Sequence, residues 1–238
     1  MDYEKIVEIW KSKKIKNYSD LSLLLDSYSV NFAYNSCKIE NNEITYYDTR
    51  EIFDKNGVTS YTGSLKNLFE IQNAKNAYNK ILKAFDNKER VDEKFVKEIQ
   101  KCLTRGTYDD IRYQEGERPG EYKHHDYVTG KNETGALAID VKEEMDELLS
   151  EICDIKDKDV LVAAAYFHAK FENIHPFSDG NGRTGRLLMN YLLLLHNHPP
   201  IIIFDEDKIE YYRALEEFDS KIEIKSLIDF FKKQCEKT

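Results

Sequence analysis

Twelve consecutive residues constrain this chain more than any other stretch, because they combine residue types that a packed core does not require together. The run is His175-Pro176-Phe177-Ser178-Asp179-Gly180-Asn181-Gly182-Arg183-Thr184-Gly185-Arg186. The apolar run that follows, residues 187–195, predicts a helix that starts just downstream. A helix N-terminus reached through a glycine-rich loop binds anions, because its free N–H groups and its dipole both favour negative charge. The stretch therefore predicts a phosphate-binding loop.

The side chains of this loop supply what chemistry on a polyphosphate requires. Arg183 and Arg186 are planar cations suited to bidentate contact with phosphate oxygens. Asp179 is the kind of oxygen ligand that magnesium shares with substrate phosphates. His175 is the only group of the stretch that can accept a proton near neutral pH. We expect a base, a metal ligand and a phosphate cradle.

The glycine spacing of the same stretch also matches a dinucleotide-binding fingerprint. That fingerprint requires a strand immediately before the glycines and a βαβ unit around them. Residues 160–173 are instead rich in alanine and periodic as a helix, which disfavours this interpretation.

A metallohydrolase cluster is the competing enzyme class. His168, Glu172 and His175 fall at helical spacing, and Asp179 lies close by in the sequence. Such a set could bind a transition metal. It leaves the glycines and arginines without a use, and Pro176 should end or kink the helix beside the last histidine.

The stretch resembles, position by position, the pattern His-x-Phe-x-Asp/Glu-Gly-Asn-Gly-Arg-x-x-Arg of the Fic (Fido) family, whose members mostly transfer AMP from ATP to protein hydroxyls. Weaker resemblance extends from about Gly63 to Phe204. The resemblance implies that His175 is the general base and that Asp179 holds Mg²⁺ or Mn²⁺. It further implies that the nucleotide phosphates are bound by Gly180, Asn181, Gly182, Arg183 and Arg186.

A second, shorter resemblance lies in the N-terminal part of the chain. Ser36-x-x-x-Glu40-Asn41 is similar to the inhibitory motif Ser/Thr-x-x-x-Glu-Gly/Asn of Fic proteins that regulate themselves through an N-terminal helix. In such members the glutamate pairs with the second arginine of the active-site motif, here Arg186, and takes the place of the γ-phosphate. The resemblance implies that Glu40 restrains transfer.

The segment over residues 112–137 lacks helical periodicity and is rich in turn residues. The resemblance implies a β-hairpin flap at about residues 118–135, which would hold a target segment by strand addition. The residues expected to contact the target are Val128, Thr129 and Gly130.

Composition and periodicity predict a mainly α-helical protein. Ten glycines and four prolines in 238 residues are few for a turn-dense β-sandwich. Together with the resemblance, this predicts a Fic helical fold with a small β-hairpin flap, divided into an N-terminal region (1–60), a core (61–204) and C-terminal helices (205–238). Apolar spacing predicts helices over about residues 3–11, 21–39, 64–85, 92–103, 139–152, 158–173, 206–218 and 224–231.

Several details of these elements can also be predicted. Ser19 or Asp20 is expected to cap the helix over residues 21–39. Asn41 and Asn42 are expected to end it, since asparagine tolerates the left-handed conformation of a C-terminal cap. Asn73 is expected on the solvent face of its helix. Tyr211 and Tyr212 are expected in the core, and residues 43–60 give no clear pattern.

Charge and cysteine content limit the partners and the compartment. A net charge of −9 disfavours binding to nucleic acid or to an anionic membrane. Four widely spaced cysteines disfavour a disulfide framework or a zinc site. The longest apolar runs are too short to span a bilayer, and the first residues are charged. We expect a cytoplasmic protein.

The partners implied by the resemblance are ATP and a target protein that presents a Ser, Thr or Tyr hydroxyl. A second copy of the chain would be a partner either as a substrate for auto-modification or in a homodimer. Two alternatives use the same site, namely transfer of another nucleotide and removal of AMP from modified targets. A different class is an inactive Fic-fold interaction module, although none of the motif's chemical groups is missing.

Overall fold

The computed structural model describes residues 2–127, 135–156 and 159–238. Within these ranges the chain forms twelve α-helices and no strand. The helices are α1 (Tyr3–Ser12), α2 (Tyr18–Leu24), α3 (Asp26–Glu40), α4 (Tyr46–Lys55), α5 (Leu65–Asn87), α6 (Glu93–Thr104), α7 (Asp110–Gln114), α8 (Val141–Glu151), α9 (Val160–Ile174), α10 (Asn181–Leu195), α11 (Lys208–Lys221) and α12 (Lys225–Lys237).

Helices α9 and α10 lie at the centre of the molecule and are joined by the motif loop. Thirteen of the fifteen residues of α10 are buried. One apolar cluster packs α2, α3, α5, α6 and α8 against these two helices, and a second packs α1, α11 and α12 against them. The motif is therefore held between the N-terminal and the C-terminal helices.

The helix predicted over residues 21–39 is two helices, α2 and α3, which meet at Leu25. Asn17 caps α2 by accepting from the Asp20 N–H, so the predicted caps at Ser19 and Asp20 were wrong. Apolar residues continue at helical spacing through Leu25, which is buried, and periodicity therefore could not reveal the break.

Helix α3 ends at Glu40, close to the predicted end, but the conformation of its C-terminal cap differs from the prediction. Asn41 is extended, with φ −138° and ψ 102°, rather than left-handed. Its side-chain amide donates to Asn67 Oδ1 and to Glu70 Oε2, each at 2.9 Å. These bonds to α5 hold the chain extended, so tertiary contacts decide the conformation of the cap.

Two segments differ from the sequence-based predictions. Residues 43–60 contain α4, which Thr45 caps at its start and Asn56 ends in a left-handed conformation. The β-hairpin flap is not seen among the described residues, where residues 118–127 and Gly135 contain no strand. The predicted target-contact residues Val128, Thr129 and Gly130 lie outside the described residues.

The described ends of the expected flap pair with the motif loop instead of with each other. Lys123 N–H donates to Pro176 O at 2.9 Å, and Ala136 N–H donates to Ile174 O at 3.0 Å. These backbone bonds anchor the segment beside His175, although no ladder forms in the described part.

Two side chains occupy different environments from those predicted. Tyr212 is 46% exposed, whereas its neighbour Tyr211 is buried as expected. Asn73 is buried, and its amide donates to Leu103 O at 3.2 Å and to Arg105 O at 2.7 Å. It satisfies carbonyls at the end of α6, which a surface residue would not do.

All four cysteines are free thiols. Across the described residues, every helix is too short or too polar to cross a bilayer.

The buried amide of Asn73 gives a stability prediction. Replacement by alanine leaves two carbonyls near the end of α6 without their donor, and we expect a loss of about 1–3 kcal/mol in the free energy of unfolding. Urea denaturation measures this loss. Asn76→Ala, an exposed substitution of the same type on the same helix, should cost much less. Equal costs for the two variants would contradict the capping role of Asn73.

Candidate active site

The motif loop is formed by the end of α9 and the start of α10. His175 ends α9 in a left-handed conformation, with φ 51° and ψ 61°, and Pro176 cannot continue the helix. Gly180, with φ 82°, precedes the first residue of α10, Asn181. The helix therefore begins inside the motif rather than downstream at Leu187. Both arginines lie in its first two turns, beside the loop.

Asn181 shapes this loop through its side chain. Its Oδ1 accepts from the Phe177 N–H at 2.9 Å, and its Nδ2 donates to the Phe177 carbonyl at 2.7 Å. The predicted phosphate-binding residue thus has its amide engaged with the loop backbone. It contributes by fixing the conformation in which the loop N–H groups are presented.

Gln100 of α6 is a functional residue that sequence reasoning missed. It is fully buried, and its Nε2 donates to the Asp179 carbonyl at 2.8 Å. Its Oε1 accepts from the Gly120 N–H at 2.6 Å. Gln100 therefore ties the motif loop to the segment after α7. The sequence contained one signal for this role, because Gln100 is a polar residue beside Ile99 on the apolar face of α6.

The later glycines of the motif are needed for close approach rather than for unusual backbone angles. A Cβ on Gly182 would overlap the Glu40 carboxylate. A Cβ on Gly185 would lie 2.9 Å from Glu172 Oε1 and 3.0 Å from His168 Nδ1. The glycines leave the surface of α10 without side chains where α3 and α9 pack closely against it.

His175 has the properties of a general base. In its neutral form the imidazole has one ring nitrogen that can accept a proton. Burial, and to a smaller extent the nearby charge of Lys123, lower the pKa of the imidazole to about 4. The ring is therefore neutral at physiological pH.

Arg186 is buried and is contacted from the N-terminal part of the chain. Its Nε donates to Ser36 Oγ at 3.1 Å, and its Nη2 donates to the Ser36 carbonyl at 2.8 Å. Nη2 also donates to Glu40 Oε1 at 2.7 Å. The Arg186 side chain is 2% exposed and that of Glu40 is 37% exposed. The structure thus brings Ser36 and Glu40 to the second arginine of the motif.

Arg183 lies between two carboxylates. Its Nη2 is 3.2 Å from Asp179 Oδ1, and its Nη1 is 3.7 Å from Glu70 Oε1. Glu70 Oε2 accepts from Asn41, so this arginine is linked to the residue that follows Glu40. Sequence reasoning missed Glu70, because a glutamate on a helix is usually exposed.

The acidic residues near the motif do not form a metal-binding cluster in the described part of the chain. Among the described residues, no group of three His, Cys, Asp or Glu side chains is arranged to hold a metal ion. His168 instead hydrogen-bonds Tyr211 through Nε2 at 2.8 Å, so the metallohydrolase cluster is not formed. Asp179 alone fits Mg²⁺, which proteins often bind through one or two carboxylates together with substrate phosphates. Its side chain is 23% exposed.

The fold agrees with comparisons to known proteins. Residues 90–193 match the model of the Fic/DOC family. The Fic domain-containing signaling protein from Bacteroides thetaiotaomicron has a TM-score of 0.82 at 24% identity, covering 99% of this chain and 92% of that one. This likeness shows that the fold is the mainly helical Fic fold.

Two relatives carry the name protein adenylyltransferase Fic. The protein from Drosophila persimilis is 45% identical over 75 residues, which are 32% of this chain and 15% of that protein. The protein from Aedes aegypti is 55% identical over 53 residues, which are 22% of this chain and 11% of that protein. The matched stretch is thus a small part of each relative's length.

The lowered pKa of His175 predicts a pH effect on stability. In the folded state the ring of His175 stays neutral down to about pH 4, whereas the ordinary pKa of a histidine is 6.5. Below pH 6.5 the unfolded chain takes up a proton that the folded chain does not, so this contribution to stability is lost as the pH falls through 4. We expect the free energy of unfolding to fall more steeply between these pH values in the wild type than in His175→Asn.

Urea denaturation at several pH values measures the two slopes. His124→Asn is the matched control, because His124 is exposed, and it should keep the wild-type slope. Identical slopes for the wild type and His175→Asn would contradict the assigned environment of this histidine.

Proposed function

We propose that this protein is a protein adenylyltransferase that transfers AMP from ATP to Ser, Thr or Tyr hydroxyls of proteins, itself included. The observation that carries the proposal is that one short loop and the first two turns of α10 bring together a neutral imidazole, a carboxylate and two buried guanidiniums. His175, Asp179, Arg183 and Arg186 are these groups. The names of the matched relatives support the same activity.

The proposed reaction is an in-line displacement at the α-phosphorus. The hydroxyl oxygen of the target forms a bond to this phosphorus while the bond to the bridging oxygen of the β-phosphate breaks, and pyrophosphate leaves. His175 takes the hydroxyl proton on its free ring nitrogen. General-base catalysis of this kind contributes about 10²–10⁴-fold to the rate.

The phosphates would be bound by the start of α10 and by the arginines. The first N–H groups of a helix have no intrahelical acceptor, and the helix dipole adds a favourable field for anions. Arg183 and Arg186 would hold the β- and γ-phosphates through charge-assisted hydrogen bonds. Asp179 would hold Mg²⁺ or Mn²⁺, which supplies further charge neutralisation when bound. Such catalysis depends on positioning and on charge stabilisation.

The same geometry supports self-restraint by Glu40. The carboxylate occupies an Nη2 donor of Arg186 that the γ-phosphate would need. Because Glu40 is partly exposed, the pair contributes only about 1 kcal/mol. An ATP phosphate is a stronger competitor for a guanidinium fork. We propose that Glu40 misaligns bound ATP more than it excludes it.

A labelling experiment tests the function and the restraint together. Purified wild type, Glu40→Gly and His175→Ala are incubated with α-labelled ATP, UTP, GTP or CTP and Mg²⁺ or Mn²⁺. We expect label from ATP to appear on the protein much faster with Glu40→Gly than with the wild type, since the γ-phosphate regains its arginine. His175→Ala should lose labelling while keeping its thermal stability.

Glu43→Gln is the matched control, because it also removes a carboxylate charge near the end of α3. The Glu43 carboxylate accepts from Asn67 Nδ2 at 2.9 Å rather than from a motif arginine, so this variant should stay restrained. Labelling by UTP, GTP or CTP but not by ATP would show that the donor is a nucleotide other than ATP. Absence of label with every nucleotide in Glu40→Gly would favour an inactive interaction module. Loss of label from pre-modified protein incubated with wild type but not with Glu40→Gly would reveal AMP removal.

A further inference from the structure

Within the described residues, the Arg186 guanidinium also forms a side-chain hydrogen bond to a helix other than α3. Its Nη1 donates to the Tyr211 hydroxyl at 3.5 Å, whereas Nε and Nη2 donate to Ser36 and Glu40. Tyr211 belongs to α11, in the C-terminal part of the chain. The guanidinium plane is therefore fixed from two sides, by the N-terminal helix and by this tyrosine.

Tyr211 is itself held by His168 of α9. The two rings stack with centroids 5.8 Å apart and planes inclined by 18°, and His168 Nε2 lies 2.8 Å from the tyrosine hydroxyl. Both residues are buried, with 0% exposure for His168 and 1% for Tyr211. A side chain fixed by stacking and by a hydrogen bond has one orientation.

The donor and acceptor roles in the hydrogen bonds from Arg186 to Tyr211 and from Tyr211 to His168 are fixed by the chemistry of the arginine. Arg186 can only donate, so the tyrosine oxygen accepts from it and the single tyrosine proton is left for His168. His168 Nε2 must then accept, which requires a neutral ring. Burial lowers the pKa of His168 to about 3, which agrees with this requirement.

Helix α12 supports the pair from behind. The ring of Phe230 lies 6.0 Å from that of Tyr211, and the ring of Phe231 lies 6.0 Å from that of His168. Both phenylalanines are buried. The C-terminal helices thus have a role in the site beyond covering the core.

We propose that Tyr211, held by His168, is a positioning residue that orients Arg186 for the γ-phosphate of ATP. This inference rests on the proposed function. The Glu40 contact must be given up when ATP binds productively, whereas the Tyr211 contact comes from α11 and can persist. Tyr211 then fixes the plane in which the freed Nη2 donor meets the phosphate.

Nucleotide binding tests this role without requiring AMP transfer. Isothermal titration is performed with ATP and with ADP on a Glu40→Gly, His175→Ala parent, which is expected to bind nucleotide without turnover. Adding Tyr211→Phe removes one oxygen and keeps the ring. We expect ATP binding to weaken about tenfold, as for loss of a hydrogen bond to a charged group. ADP, which lacks the γ-phosphate, should change much less.

Tyr191→Phe is the matched control, because Tyr191 is also buried and its hydroxyl donates to the Glu89 carbonyl at 2.8 Å, in a bond to no motif residue. It should leave the affinities for both nucleotides unchanged. In the second arm, His168→Phe should reproduce the loss of ATP affinity, and combining it with Tyr211→Phe should add little, since both act through one contact. His168→Gln, which keeps an acceptor, should restore part of the affinity.

Thermal melts establish whether each variant folds. If His168→Phe does not fold, Tyr211→Phe alone decides the result. Unchanged ATP affinity in Tyr211→Phe would overturn the inference. Equal losses for ATP and ADP would also overturn it, because they would indicate a general distortion of the site. A parent that binds neither nucleotide would overturn the proposed function itself, and the inference with it.

Discussion

The burial of the Arg186 guanidinium is the constraint on which the arrangement of the site depends. A charged group removed from water must be paired and hydrogen-bonded, because its desolvation is otherwise costly by several kcal/mol. The partners come from α3 and from α11, which lie far apart in the chain, and they converge on the first turns of α10. The N-terminal and C-terminal helices are therefore both needed to complete the surroundings of one motif residue.

The end of α3 reaches both arginines of the motif by different routes. Glu40 contacts Arg186 directly, and Asn41 reaches Arg183 through Glu70. The direct pair is partly exposed and weak, whereas the asparagine and glutamate of the second route are more buried. This combination would let the carboxylate be displaced by a phosphate while the helix end stays attached to α5. In the proposed function, Glu40 restrains transfer and the neighbouring Asn41 attaches the helix end to α5.

The proposed general base, His175, owes its neutral state to the loop that carries it. The residue ends α9 in a left-handed conformation, and burial lowers the pKa of its ring to about 4. Gln100 and Asn181 hold the rest of the loop through amide bonds to its backbone. Amides suit this task because each offers a donor and an acceptor without bringing a charge that would alter the histidine or the phosphates.

Local patterns predicted most helices, because an amphipathic helix is recorded in the spacing of its own apolar residues. They did not predict the break at Leu25, the helix α4, or the start of α10 among glycines. These features depend on capping and on packing against other helices. The expected hairpin came from resemblance, and the described part of that segment pairs with the motif loop instead.

The sequence by itself determined the chemical groups of the site and their order, since the motif places a histidine, a carboxylate, glycines and two arginines within twelve residues. Resemblance added Glu40 as the partner of Arg186. Only the tertiary structure identified Gln100, Glu70 and Tyr211 as residues of the site. A polar side chain buried against a distant loop has the same local sequence signal as one in solvent, and its hydrogen-bond partners become known only when the helices are packed together.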